Sequence, residues 1–132
     1  LISFELAQLY ADCGNKESAL ATLRRVEELK RSGAAAYQAL PVEKIFYQLG
    51  NLQFWYRDFP EAAENLRKAA ARSAELDLNT GVLSWLRLGQ TCDMLSRRRE
   101  AEAAYRKAIE LAPQSELARE ARRYLSAPYR RS

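Results

Sequence analysis

The stretch Trp85-Leu86-Arg87-Leu88-Gly89, continued by Ala101, Tyr105, Ala108 and Pro113, decides the fold. Trp85, Leu88 and Cys92 recur at i, i+3 and i+7, which places them in one stripe of a helix. Gly89 sits inside that stripe. A glycine within a helix costs about 1 kcal/mol relative to alanine, so it marks a place where another backbone comes close. Ala101, Tyr105 and Ala108 then follow at i, i+4 and i+7, small-large-small along one face of a second helix. The small residues let two helices approach, and the aromatic fills the gap between them. Pro113 ends this second helix, because the residue before a proline avoids the helical region.

These residues resemble the tetratricopeptide repeat, a helix-turn-helix unit of about 34 residues with Trp, Leu-Gly, Tyr, Ala, aromatic, Ala and Pro at set offsets. Trp85, Leu88, Gly89, Ala101, Tyr105, Ala108 and Pro113 fall on those offsets, and Cys92 stands where the family often has tyrosine. The same template finds a second unit in Phe46, Leu49, Gly50, Ala62, Leu66 and Ala69, with Arg57-Asp58-Phe59-Pro60-Glu61-Ala62 as its turn. A first unit reads Leu6, Ala7, Tyr10, then Gly14-Asn15-Lys16-Glu17-Ser18-Ala19, then Leu23. The anchor alanines Ala19, Ala62 and Ala101 lie 43 and 39 residues apart. Both intervals exceed the family period, so residues are inserted near Ser32 to Leu40 and near Asp77 to Gly81. Ala34, Ala35 and Ala36 favour extending a helix, whereas Ser32-Gly33 and Asn79-Thr80-Gly81 favour breaking one. The expectation is lengthened second helices followed by longer connecting loops.

The resemblance implies an all-α fold, a right-handed α-α superhelix of about seven antiparallel helices. A single domain over 1–132 is expected, with units at about 1–33, 43–76 and 82–115, a capping helix at 115–125 and a tail at 126–132. Composition agrees with the class: strand signals are absent and Ala, Leu, Glu and Arg dominate. Ser115 is positioned as an N-cap for the last helix, where Leu117, Ala121, Tyr124 and Leu125 can cover the final repeat. A solenoid needs such a cover, because its terminal unit has no neighbour. Ala127-Pro128-Tyr129-Arg130-Arg131-Ser132 reads as a tail leaving the cap.

Several function classes are set aside on composition. The chain has no histidine, which removes Ser-His-Asp and Cys-His arrangements. Five glycines form no phosphate loop. Carboxylates pair with Arg and Lys at helical spacing, which is ordinary surface pairing. The expectation is a non-enzyme with no cofactor and no metal. Cys13 and Cys92 read as small buried hydrophobes, since structural zinc needs about four clustered ligands. No apolar run is long enough to span a membrane, and no signal-peptide pattern is present. The opening at Leu1, inside a helical pattern, reads as a domain cut from a longer protein. Localisation is therefore left open, with the cytoplasm as default.

In the repeat family the stacked first helices line a concave groove, and the resemblance carries that face onto definite positions. These are Phe4, Gln8 and Asp12 in the first unit, and Lys44, Tyr47, Gln48, Asn51 and Trp55 in the second. The third unit contributes Leu83, Arg87, Gln90 and Met94. Tyr47, Asn51 and Trp55 form one stripe, and Arg87, Gln90 and Met94 another. Aromatics and arginine are the side chains most enriched at binding hot spots. One branch of the family grips a C-terminal carboxylate with Lys, Asn and Arg; the matching places hold Phe4, Gln8, Gln48, Leu83 and Arg87, of which Arg87 alone keeps the positive charge. An extended peptide or partner helix is therefore expected in the groove, making the domain a protein-interaction scaffold.

Two other readings compete. The net charge of +4 is uneven: residues 82–132 hold eleven basic and six acidic side chains, including Arg97-Arg98-Arg99, Arg119, Arg122, Arg123, Arg130 and Arg131. Nucleic-acid binding could use this excess, but no aromatic stacking platform is interleaved with it. Arg97-Arg98-Arg99 occupies a turn, and Arg119, Arg122 and Arg123 fit the solvated face of a cap. The other alternative is self-association, or docking onto the rest of a larger multidomain protein. It would use the apolar start Leu1, Ile2, Phe4 and Leu6, which no preceding unit covers.

Overall fold

The computed structural model describes residues 16–31 and 42–131, and within this span the chain forms six α-helices and no strand. They are α1 (Lys16–Arg31), α2 (Val42–Trp55), α3 (Phe59–Ala71), α4 (Leu78–Met94), α5 (Arg98–Leu111) and α6 (Glu116–Ser126). Each helix packs on the next, while α4 also packs on both α2 and α6. The result is a two-layer helical solenoid: α2, α4 and α6 form one layer, and α1, α3 and α5 the other. The first helix of the first unit, the insertion near Ser32 to Leu40 and the apolar start from Leu1 to Leu6 lie outside the described residues, as do Phe4, Gln8, Asp12 and Cys13.

The helix pairs form where small residues permit contact. In α5 the buried positions are Ala101, Ala104, Tyr105 and Ala108, the i, i+3, i+4, i+7 face. Alanine also dominates the buried face of α3, at Ala62, Ala63, Ala69 and Ala70, with Leu66 between them. A Cβ on Gly89 would lie 2.5 Å from the Tyr105 ring, and one on Gly50 would lie 2.7 Å from Leu66 Cγ. Each glycine thus lets the partner helix seat its largest buried side chain directly on the backbone.

Two turns repeat the same geometry. Arg57 and Ser96 both adopt positive φ, 66° and 59°, just after α2 and α4. Backbone N–H groups of Arg57 and Asp58 return to the carbonyls of Phe54 and Gln53, and those of Ser96 and Arg97 return to Asp93 and Cys92. These paired bonds close off the helix ends. Pro60 in the first turn of α3 fits a position whose N–H would have no helical partner.

The connection between the second and third units differs from the expected lengthened second helix. Helix α3 stops at Ala71, a short 3-10 turn covers Ser73–Glu75, and α4 starts as early as Leu78. The inserted residues therefore lengthen the following helix. Asp77 explains this: its side chain accepts from Thr80 N–H at 3.0 Å and caps α4 one turn upstream of the repeat. Asn79-Thr80-Gly81 is consequently helical. Gly81 allows a close approach here, since a Cβ would lie 3.2 Å from the Ser73 carbonyl oxygen, a tight contact.

Helix α4 is the centre of the fold, with neighbours on both layers, so even its polar residues are buried. Ser84 and Thr91 are fully enclosed. Their hydroxyls donate to the carbonyls of Thr80 and Arg87, one turn earlier, and so leave no donor unmet. At the end of the chain Ser115 Oγ accepts from Ala118 N–H at 3.1 Å and starts α6.

Candidate functional site

The face shared by α2, α4 and α6 carries the described part of the expected groove. Lys44, Gln48, Asn51, Arg87 and Met94 are half-buried there, and Trp55 is 51% exposed. Two expected contact residues lie deeper. Tyr47 is 8% exposed and belongs to the same core cluster as Val82 and Leu86, so it is a spacer between α2 and α4. Its burial raises the phenol pKa. Gln90 is 3% exposed and serves Arg87. Alternation along a helix face cannot separate these from exposed positions, because α4 lies against one flank of α2.

Arg87 is the node of the surface. Its Nε donates to Asn51 Oδ1 at 3.1 Å and its Nη1 to Gln90 Oε1 at 2.7 Å. The same guanidinium lies 5.1 Å from the Trp55 ring centre and 5.4 Å from that of Phe54. Neutral amides and aromatic faces therefore hold this cation in a fixed plane.

The segment after α6 does not leave the cap. Ala127 is extended, and the chain beyond it turns back across the ends of α4 and α2. Tyr129 N–H donates to Asp93 Oδ2 at 2.9 Å, and its ring lies 5.8 Å from Phe54 and 5.3 Å from Tyr124. Arg131 donates through Nη2 to the Phe54 carbonyl at 2.6 Å. Its guanidinium stands 4.6, 5.1 and 5.5 Å from the rings of Phe54, Trp55 and Phe59. A tail rich in arginine is not expelled into water here, because three aromatic faces converge where it passes.

Asp93 anchors this arrangement and was not among the expected site residues. Its carboxylate is 1% exposed. It accepts from Tyr105 Oη at 2.7 Å, from Tyr129 N–H, and from Arg98 Nη1 at 3.0 and 3.1 Å. Arg98 in turn donates through Nη2 to the carbonyls of Tyr124 and Leu125 at 2.7 and 2.9 Å, capping the last turn of α6. Arg98 is thus a buried-side connector at the start of α5, not a solvated turn residue. No sequence motif marked Asp93 as a site residue, since apart from Arg98, five residues on, the partners of this pair that tie the elements together lie 12 to 36 residues away.

Several of the remaining basic residues are spent locally. Arg119 pairs with Glu116, Arg123 with Glu120, and Arg122 donates to the Pro113 carbonyl. On the opposite layer Arg67 makes a two-point bond to Glu100 at 2.5 and 2.9 Å, which holds α3 to α5 and lowers the Glu100 pKa. Cys92 is fully buried, and desolvation pushes its thiol pKa up to about 12. Since the thiolate is the reactive form, Cys92 in a Cys13→Ser chain is expected to resist iodoacetamide at pH 8 until the protein is unfolded in denaturant. Alkylation at the rate of a free thiol in the folded protein would contradict this burial. Among the described residues no group of three or more His, Cys, Asp or Glu could hold a metal, and no helix is long and apolar enough to cross a membrane.

Comparison with known proteins adds to this picture. Residues 82–115 match a sequence model of the tetratricopeptide repeat, and residues 2–32 match a second model of the same repeat. Between these segments, α2 and α3 form a further helix pair. Among solved structures, the N-terminal domain of stress-induced protein-1 (STI-1) from C. elegans is similar, with a TM-score of 0.73 over 92% of this chain and 91% of that one. Sequence identity is 14%, so the likeness concerns the fold. No curated protein sequence matches the chain.

Proposed function

We propose, for a chain that belongs to the tetratricopeptide repeat family, that the face formed by α2, α4 and α6 binds a peptide or partner helix from another protein. The family's repeat is a protein-interaction scaffold, and this domain is one. The finer reading rests on one observation: Trp55, 51% exposed, lies beside an Arg87 guanidinium fixed by Asn51 and Gln90. An exposed tryptophan next to a preorganised arginine loses little freedom on binding and buries a large area. Such side chains dominate interface energetics.

The groove residues divide accordingly. Lys44, Gln48, Asn51, Trp55, Arg87 and Met94 present the contact surface. Tyr47 and Gln90 hold it in place from below. The contribution of Phe4, Gln8 and Asp12 remains part of the proposal through the family resemblance. Nucleic-acid binding gains no support from the arginines of the last third, most of which have protein partners.

The test is peptide selection from a random displayed library against the folded chain, followed by titration of selected peptides into variants. Trp55→Ala and Arg87→Ala are each expected to weaken binding by about 1–2 kcal/mol, the size of a hot-spot truncation. Both variants should retain the helical circular dichroism of the parent. Selected peptides that bind Trp55→Ala and Arg87→Ala as tightly as the parent would overturn the groove reading.

A further inference from the structure

We propose that residues 127–131 act as an internal ligand, and that the groove end they fill accepts an extended partner segment in which an aromatic residue is followed two positions later by arginine. This rests on the groove reading above and narrows its partner class.

The segment is built like a bound peptide, not like part of a repeat. Ala127 is extended, with φ −146° and ψ 132°. Side chains in an extended chain alternate between faces, and here Tyr129 and Arg131 turn inward while Arg130 is exposed. Each inward contact uses a group that another segment could supply. The Tyr129 backbone N–H meets the buried Asp93 carboxylate at 2.9 Å. The Tyr129 ring lies tilted against Phe54 and edge-on to Tyr124. The Arg131 guanidinium enters the faces of Phe54, Trp55 and Phe59 and donates to the carbonyl that ends α2. The site thus reads one backbone donor, one ring and one planar cation, spaced two residues apart.

The internal ligand also fits incompletely. Arg131 Nη1 is buried with no hydrogen-bond partner among the described residues. An open cleft of about 360 Å³ remains between Tyr129–Arg131 and the end of α4 at Asp93, Met94 and Ser96. Trp55 stays half exposed beside the bound guanidinium. A segment with the same aromatic-x-Arg spacing, and more atoms in the cleft, would complete what 127–131 leaves open. Because the internal copy is tethered, it competes at high effective concentration and sets the threshold for any such partner.

The experiment titrates the labelled peptide acetyl-Ala-Pro-Tyr-Arg-Arg-amide, followed by fluorescence anisotropy, into the 132-residue chain and its Arg131→Ala and Tyr129→Ala variants. Affinity for the variants is expected to rise by at least about tenfold, the gain when a competent site goes from one-tenth free to wholly free. The scrambled peptide Arg-Arg-Ala-Pro-Tyr, equal in charge, should bind none of them measurably. Arg131→Ala leaves the Tyr129 packing in place, so a folding defect in Tyr129→Ala does not remove the test. Equal affinity for parent and Arg131→Ala, or equal binding of the scrambled peptide, would overturn the proposal. If library-selected peptides lacking the aromatic-x-Arg pattern still depend on Trp55 and Arg87, the specific partner class falls while the groove reading stands. Failure of both shows as loss of the Trp55 and Arg87 dependence as well.

Discussion

Truncation of Tyr105 to alanine is expected to destabilise the domain by about 3–5 kcal/mol, the cost of removing a buried aromatic and leaving a cavity. Tyr105 is fully buried and is the largest enclosed side chain among the described residues. It seats on Gly89 of α4, and its hydroxyl also supplies a donor to the buried Asp93 carboxylate. Three variants separate these roles in urea unfolding. Tyr105→Phe removes the hydroxyl alone and should cost about 1.5–3 kcal/mol, as for a hydrogen bond to a charged group. Gly89→Ala drives a methyl to 2.5 Å from the ring, and overpacking of this kind costs about 1–3 kcal/mol. In a Tyr105→Ala background the same Gly89→Ala change should reverse sign and stabilise by up to about 1 kcal/mol, because helix propensity is then all that remains. Additive effects in this cycle would show that Gly89 and Tyr105 do not share the contact.

Asp93→Ala is expected to cost about 3 kcal/mol, at the low end of the range for breaking a buried ion pair. The low end applies because the Arg98 side chain is 31% exposed and keeps two carbonyl partners, so water and α6 absorb part of its charge. The rest of the loss falls on the buried Tyr105 hydroxyl and on the Tyr129 amide, both left without an acceptor. Asp93→Asn retains an acceptor and should cost roughly half as much, within the spread of charged against neutral hydrogen bonds. Amide hydrogen exchange reads the local effect: Tyr129 N–H should exchange faster in Asp93→Ala, while amides in α2 remain protected. A change in stability under about 0.5 kcal/mol, typical of surface substitutions, would remove Asp93 from the centre of this network.

The helix pair of the third unit was legible because its cues are local. Trp85, Leu88 and Gly89 on one helix and Ala101, Tyr105 and Ala108 on the next are related by single-turn spacings, and the small-large-small pattern names the contact before the helices meet. The connection at Asp77 to Gly81 was misread for the complementary reason. Asn, Thr and Gly are helix-weak, but one capping carboxylate and one close approach outweigh that preference. The groove was legible as a face and not as a surface. Tyr47 and Asn51 share a stripe on α2, yet the crossing of α4 buries the tyrosine in the core and leaves the asparagine to hold Arg87.

The segment 127–131 marks the boundary most clearly. Ala-Pro-Tyr-Arg-Arg carries every mark of a solvated tail, and nothing within it signals Asp93, 36 residues from Tyr129, or Phe54, 77 residues from Arg131. By itself the amino-acid sequence determined the helical class, the repeat register and the positions of close helix contact, because these follow from periodicity within one or two turns. The tertiary structure alone decided which polar groups became buried partners and where the arginine-rich segment came to rest. Those outcomes depend on bringing the ends of α2, α4 and α6 together, so that a buried carboxylate and three aromatic faces point at the same few residues.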